Sequence, residues 1–241
     1  MPTRLPRIAT AVLAGSLALG VASPALAEET TEDPTLAERC LDQIDRRIGD
    51  LGTAKSRAQN ATALTDSHLG TITSIIDSTE AGLGELAVAI EATDDRATLV
   101  ELCTSIATDH RVYLVVLPQT HLAIGADRVE AATDRGDELI ATFDAAVDAA
   151  IQAGADVTEA VALRNDAAAH LADAATTAAG VGDQVLTVTP SSWNDGPGQT
   201  VIQDSRTAVR SGHEDIKAGI QDGKAAIEAL RAAIDAVGSD A

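Results

Sequence analysis

This sequence predicts an all-α protein built from long packed helices, and three observations carry the prediction. Apolar residues recur at spacings of three and four through most of the chain, the period of one helix face. The 241 residues include one Trp, one Tyr and one Phe, so the core must be thin and aliphatic, as packed long helices allow. Turn signals are few and far apart, which leaves helical segments of roughly 20 to 40 residues between them.

The N-terminal stretch stands apart. Arg4 and Arg7 give a basic start, residues 8–21 are apolar, and Ala25-Leu26-Ala27 is a small-x-small cleavage pattern. Residues 1–27 therefore read as a signal peptide. The apolar run is too short for a membrane span, and the C-terminal AVGSDA carries no hydrophobic tail. Leu117-Pro118-Gln119-Thr120 has the look of a sortase signal, but His121 stands where glycine is required. The expected product is a secreted or extracellular protein, cell-envelope associated at most, with no membrane span in the mature chain. Acids outnumber bases 37 to 17, and loss of Arg4 and Arg7 takes the net charge from −20 to −22. So acidic a surface argues against nucleic-acid partners, which require cationic patches.

Residues 34–60 form the first expected helix, with Leu36, Cys40, Ile44, Ile48 and Leu51 on its buried face. Thr65 suits the N-cap of a second helix, with Asp66 in the first turn and Leu64 and Leu69 as a hydrophobic staple. Thr93-Asp94-Asp95 caps a third, whose seam reads Leu99, Cys103, Ile106, His110, Tyr113 and Leu117. Pro118 lacks an N–H and crowds the turn before it. The third helix is expected to kink there and run on to about residue 153. Gly154 closes it, Asp156-Val157-Thr158 opens the next, and 189–199 (TPSSWNDGPGQ) is the clearest loop. A final helix over about 200–237 has the cleanest repeat, and Gly219 and Gly223 on it are expected to admit a close neighbour. The expected architecture is two tandem three-helix bundles, 34–117 and 118–238, sharing the helix kinked at Pro118.

The two cysteines decide the order of the first bundle. In an exported protein a pair of cysteines reads as a disulfide. One unbroken helix from 34 to 91 would hold Cys40 far from Cys103, at about 1.5 Å per residue. An up-down-up path puts both near the starts of parallel helices, so Cys40–Cys103 is expected.

Three short stretches carry a resemblance: LTDSH at 64–68, GLGEL at 82–86 and CTSIATDHRVYLVVLP at 103–118. They resemble an uncharacterised group of secreted, helix-rich proteins of actinobacteria with an LTxxH and RVYxxxxP pattern. His110 stands where that group usually has an aromatic residue. The resemblance implies an all-helical exported protein and brings no activity or catalytic residue with it.

The five histidines are His68, His110, His121, His170 and His213. Cys103, His110 and His121 share a helix face but are too widely spaced to hold one ion. Reflection about the turns brings His68 level with His121 and His170 level with His213, which makes these two pairs the metal candidates. No D-x-[DN]-x-[DN]-G calcium loop, nucleophile elbow, phosphate loop, Cys-x-x-Cys or His-Glu-x-x-His occurs. The expected function is therefore non-enzymatic and without a cofactor. It is a protein–protein or cell-envelope interaction or spacer module, with a binder of a metal ion or small ligand between helices as the alternative.

Overall fold

Thr35 opens the first helix through a capping box. Its hydroxyl accepts from Glu38 N–H at 3.2 Å, while its own N–H donates to the Glu38 carboxylate at 2.6 Å. The computed structural model describes residues 35–239, so the expected signal peptide lies outside the described residues. Helix α1 runs Leu36–Gln59, α2 Asp66–Glu91 and α3 Arg96–Thr108. Thr65 caps α2 by accepting from His68 N–H, and Asp95 caps α3 by accepting from Thr98 N–H. Both starts fall where the polar residues before each apolar run predict them.

The third helix does not carry through to Pro118 in one piece. It ends at Thr108, and Arg111 takes a left-handed φ of 42°. One π-helical turn, Val112–Val116, then leads into α4, Leu117–Gln152. Pro118 sits in the first turn of α4, where its missing N–H costs little. The widened π turn directly before it leaves room for the ring. The interruption expected at Pro118 is thus spread over 109–118, and its sharpest point is Arg111. Asn194 clamps that point: its side chain accepts from Arg111 Nε at 2.8 Å and donates to the Thr108 carbonyl at 3.1 Å. The change of phase also moves Tyr113 off the expected seam. Val112, Val115 and Val116 are buried instead, and Tyr113 is on the surface, where its hydroxyl donates to Asp50 at 2.8 Å and its ring lies under Arg47.

Helix α5 spans Thr158–Ala178, shorter than expected, because Ala179 and a left-handed Gly180 break it before α6, Val181–Leu186. The expected loop at 189–199 contains a short helix, α7 (Pro190–Asp195), capped by Thr189. Helix α8, Gly198–Ser239, closes the chain. The described residues hold no strand, and the protein is all-α.

Cys40 and Cys103 form the expected disulfide, with Cα atoms 5.6 Å apart. Their separation of 63 residues recurs further along α1: Asp50 meets Tyr113, and Arg57 meets His121 at a separation of 64. Helix α1 therefore lies parallel to the whole path from α3 into α4, in one register. The largest core gathers Ile44, Leu51, Ile72, Ile76, Leu83 and Ile106 with Val185 and Ile202 from α6 and α8. Two smaller cores follow lower on α4, α5 and α8, and the described residues 35–239 pack as one compact unit.

Candidate functional site

Helices α4 and α8 run side by side and touch at their upper ends. A Cβ on Gly125 would lie 2.8 Å from Val209, and one on Gly212 would lie 3.0 Å from Val129. Below this contact each leans on α5 rather than on the other. A Cβ on Gly136 would meet Leu171 at 2.5 Å, and one on Gly219 would lie 3.2 Å from the Ala167 carbonyl oxygen. Close approach through glycine and alanine fastens both helices to α5 and leaves a groove between them on the other side. At the far end Val147, Ala150 and Leu230 come together again over Val157 and Ala160.

The groove has a volume of about 690 Å³. Its α4 wall is Ala132, Gly136, Leu139, Phe143 and Ala146; its α8 wall is Ile216, Ile220, Gly223, Ile227, Leu230 and Ile234. These residues follow a four-three alternation on both walls, the period of a coiled-coil seam, with Ile140 and Thr142 of α4 and Gly219 and Ala226 of α8 lining the groove beside them. Several of these apolar side chains face water: Leu139 is 63 % exposed, Ile220 50 %, Ile227 43 % and Ile234 45 %. Among the described residues nothing lies within 4 Å of where a Cβ on Gly223 would stand, so the close neighbour expected there is absent from them and the position opens onto the groove. The charged residues lining the groove are Arg135, Arg164, Lys224 and Arg231, with no Asp or Glu among them. Arg164 is held by Asp144 across α4 and α5.

The histidines each take a partner other than the one expected. His68 donates from Nδ1 to Asp127 of α4 at 2.8 Å and from Nε2 to Asp183 of α6 at 3.1 Å. Asp127 is 2 % exposed and also accepts from Thr65 N–H at 2.8 Å. One buried carboxylate thus secures both the cap of α2 and the ring beside it. Burial of His68 opposes its charge, but the bonds to Asp183 and Asp127 outweigh burial and raise its pKa. Gly182 makes the junction possible, since a Cβ there would lie 2.5 Å from the His68 ring. His121 accepts from Arg57 at 2.8 Å, and burial, with the Arg57 charge behind it, lowers its pKa. His170 lies 3.5 Å from Asp222, and His213 donates to the Val209 carbonyl at 2.7 Å. His110 packs against Gly82, and burial lowers its pKa. Among the described residues no group of three His, Cys, Asp or Glu side chains is placed to hold a metal ion.

Sequence reasoning found the α8 wall, because the repeat expected over about 200–237 runs through Ile216, Ile220, Ile227, Leu230 and Ile234. It did not find that this seam faces an open groove, nor the α4 wall opposite. The signal available was the second four-three alternation through Ala132, Gly136, Leu139, Phe143 and Ala146, which small residues disguise. No known protein family, curated protein or solved structure matches the chain.

Proposed function

We propose that this chain is an exported, non-enzymatic interaction module that receives an apolar partner surface in the groove between α4 and α8. One observation carries the reading. In a chain with 37 acids against 17 bases, the exposed isoleucines line up in a groove that no acid among the described residues enters. Contiguous exposed apolar surface of this kind marks an interaction site more often than a neutral face. Covering a half-exposed isoleucine contributes about 1 kcal/mol, from half of the usual full-burial value, so Ile220, Ile227 and Ile234 together with Leu139 supply a useful binding term. Export is supported by the Cys40–Cys103 disulfide and by the signal-like residues 1–27. Among the described residues no helix is long and apolar enough to cross a membrane. The non-enzymatic reading rests on the sequence, in which none of the familiar catalytic motifs occurs.

An apolar reporter dye such as anilinonaphthalene sulfonate tests the groove directly. The folded protein is expected to bind it saturably, and Ile227→Glu, an exposed position, to abolish the signal while the fold melts as before. A dye response unchanged by Ile227→Glu would remove the groove as the working surface. A small apolar ligand is the second reading, favoured by a volume within the range of ordinary ligand pockets. Native mass spectrometry of protein purified from its own host separates the two, since a resident ligand adds a discrete mass.

A further inference from the structure

We infer that the occupant of the groove is an amphipathic helix with acidic flanks, docking as the fourth helix beside α4, α5 and α8. The inference rests on the groove being the working surface, as proposed above, and adds the identity of what fills it. Three observations point the same way.

The first is periodicity. Ile220, Ile227 and Ile234 are exposed at intervals of seven residues, which is one stripe of a heptad seam whose other stripe, through Ile216 and Leu230, turns toward α5 and the lower core. A helix that alternates a and d residues inserts into such a stripe as knobs into holes. Between Ile216 and Ile234 the groove follows α8 for about 27 Å at 1.5 Å per residue, long enough for five turns of a partner helix.

The second is charge. Arg135, Lys224 and Arg231 line the groove with no ion pair among the described residues. They are spread along its length on both walls rather than gathered at one end. A single-headed acyl ligand would need cations at one end; a helix with acids at its flanking positions meets them at successive turns. A second copy of this chain presenting the same face would bring cation against cation.

The third is Gly223. Glycine inside a helix is less favourable than alanine, and close packing is the usual compensation. Here nothing among the described residues lies within 4 Å. The missing side chain leaves a hole in the middle of the α8 wall, of the kind that a large knob from a partner helix fills.

The experiment uses the full chain with its disulfide formed and two synthetic peptides of about four heptads. Both carry Leu and Ile at a and d; one has Glu at the flanking positions and the other Lys. Binding is read by fluorescence anisotropy, with dodecanoate and dodecylamine as small-amphiphile probes. The Glu peptide is expected to bind at least about tenfold more tightly than the Lys peptide, and to weaken several-fold as salt rises from about 0.05 to 0.5 M. Gly223→Leu meets no neighbour in the free protein, so it should melt no lower than the parent while losing at least about tenfold in affinity as the hole fills. Equal binding of the two peptides, or binding unchanged in Gly223→Leu, would overturn the inference. Binding of dodecanoate with no peptide binding would also overturn it while leaving the groove reading intact. Silence from every probe would take both down together.

Discussion

The upper half of the molecule, α1 to α3 with the top of α4, and the lower half, where α4, α5 and α8 run together, are built from similar apolar content and end up different. In the upper half Ile44, Leu51, Ile72, Ile76, Leu83 and Ile90 are all essentially inaccessible, and a disulfide ties α1 to α3. In the lower half the buried positions are largely Ala150, Ala160, Ala167, Ala174 and Ala178, while Leu139, Ile151, Ile220, Ile227 and Ile234 face water. Small residues let α5 come close to its neighbours, and that closeness pushes the larger side chains outward. A seam of large aliphatic side chains therefore builds a core in one half and a surface in the other. The difference lies in what stands opposite, not in the helix that carries the repeat.

The largest test of this contrast is the disulfide. Cys40→Ser with Cys103→Ser opens a loop of 63 residues, which should lower the unfolding free energy by about 4 kcal/mol in the chain-entropy model. Urea denaturation of the two forms measures it. A loss below about 1 kcal/mol would mean that the upper half holds its order by side-chain packing alone. Next comes a matched pair of truncations. Leu51→Ala, at a position with no exposure, should cost about 3 kcal/mol. Ile227→Ala, 43 % exposed, should cost only about 1 kcal/mol, half of the usual full-burial value. Equal costs would erase the contrast, because they would mean that the isoleucine stripe is already covered in solution.

Much of this was legible in the sequence, and the parts that were not share a cause. Thr65 and Asp95 announced their helices because an N-cap is a local matter, settled by one side chain and an N–H three residues on. Thr35 and Glu38 spell a capping box that was equally local and went unread. The disulfide followed from compartment and chain geometry. The break falls at Arg111, about two turns before the proline where the sequence predicts it, because proline is a visible breaker whereas a left-handed arginine is not. What holds Arg111 is Asn194, 83 residues away. The groove failed to show for the same reason. Periodicity says which side chains share a face, and Gly219 and Gly223 look alike on that count. Only the packed structure shows that the first touches α5 and the second touches nothing among the described residues. His68 and Asp127 were likewise separate residues until α2 and α4 met.

That meeting supports the smallest and most specific prediction, because the His68 junction joins the upper half to α6. The ring faces Asp127 from α4 and Asp183 from α6, with Glu130, whose pKa is raised by burial and by the Asp127 charge, close behind. The His68 pKa is raised in the folded state, against about 6.5 when unfolded. The charged ring therefore stabilises the fold fully below about pH 6.5, and this contribution is lost as pH rises through the higher folded value. His68→Asn removes the ionisable ring and leaves Asp127 its bond from Thr65 N–H. The variant should be less stable than the parent by about 1–2 kcal/mol near pH 6, the scale of a charge-assisted hydrogen bond. The gap should narrow steadily as pH rises through the folded pKa and the parent ring loses its charge. Paired thermal melts across that range at constant salt read the gap directly. A gap that does not change with pH would show that His68 acts only by packing against Gly182. A gap that widened toward high pH would mean that the folded ring is the weaker base, and that burial rather than the two carboxylates governs the junction.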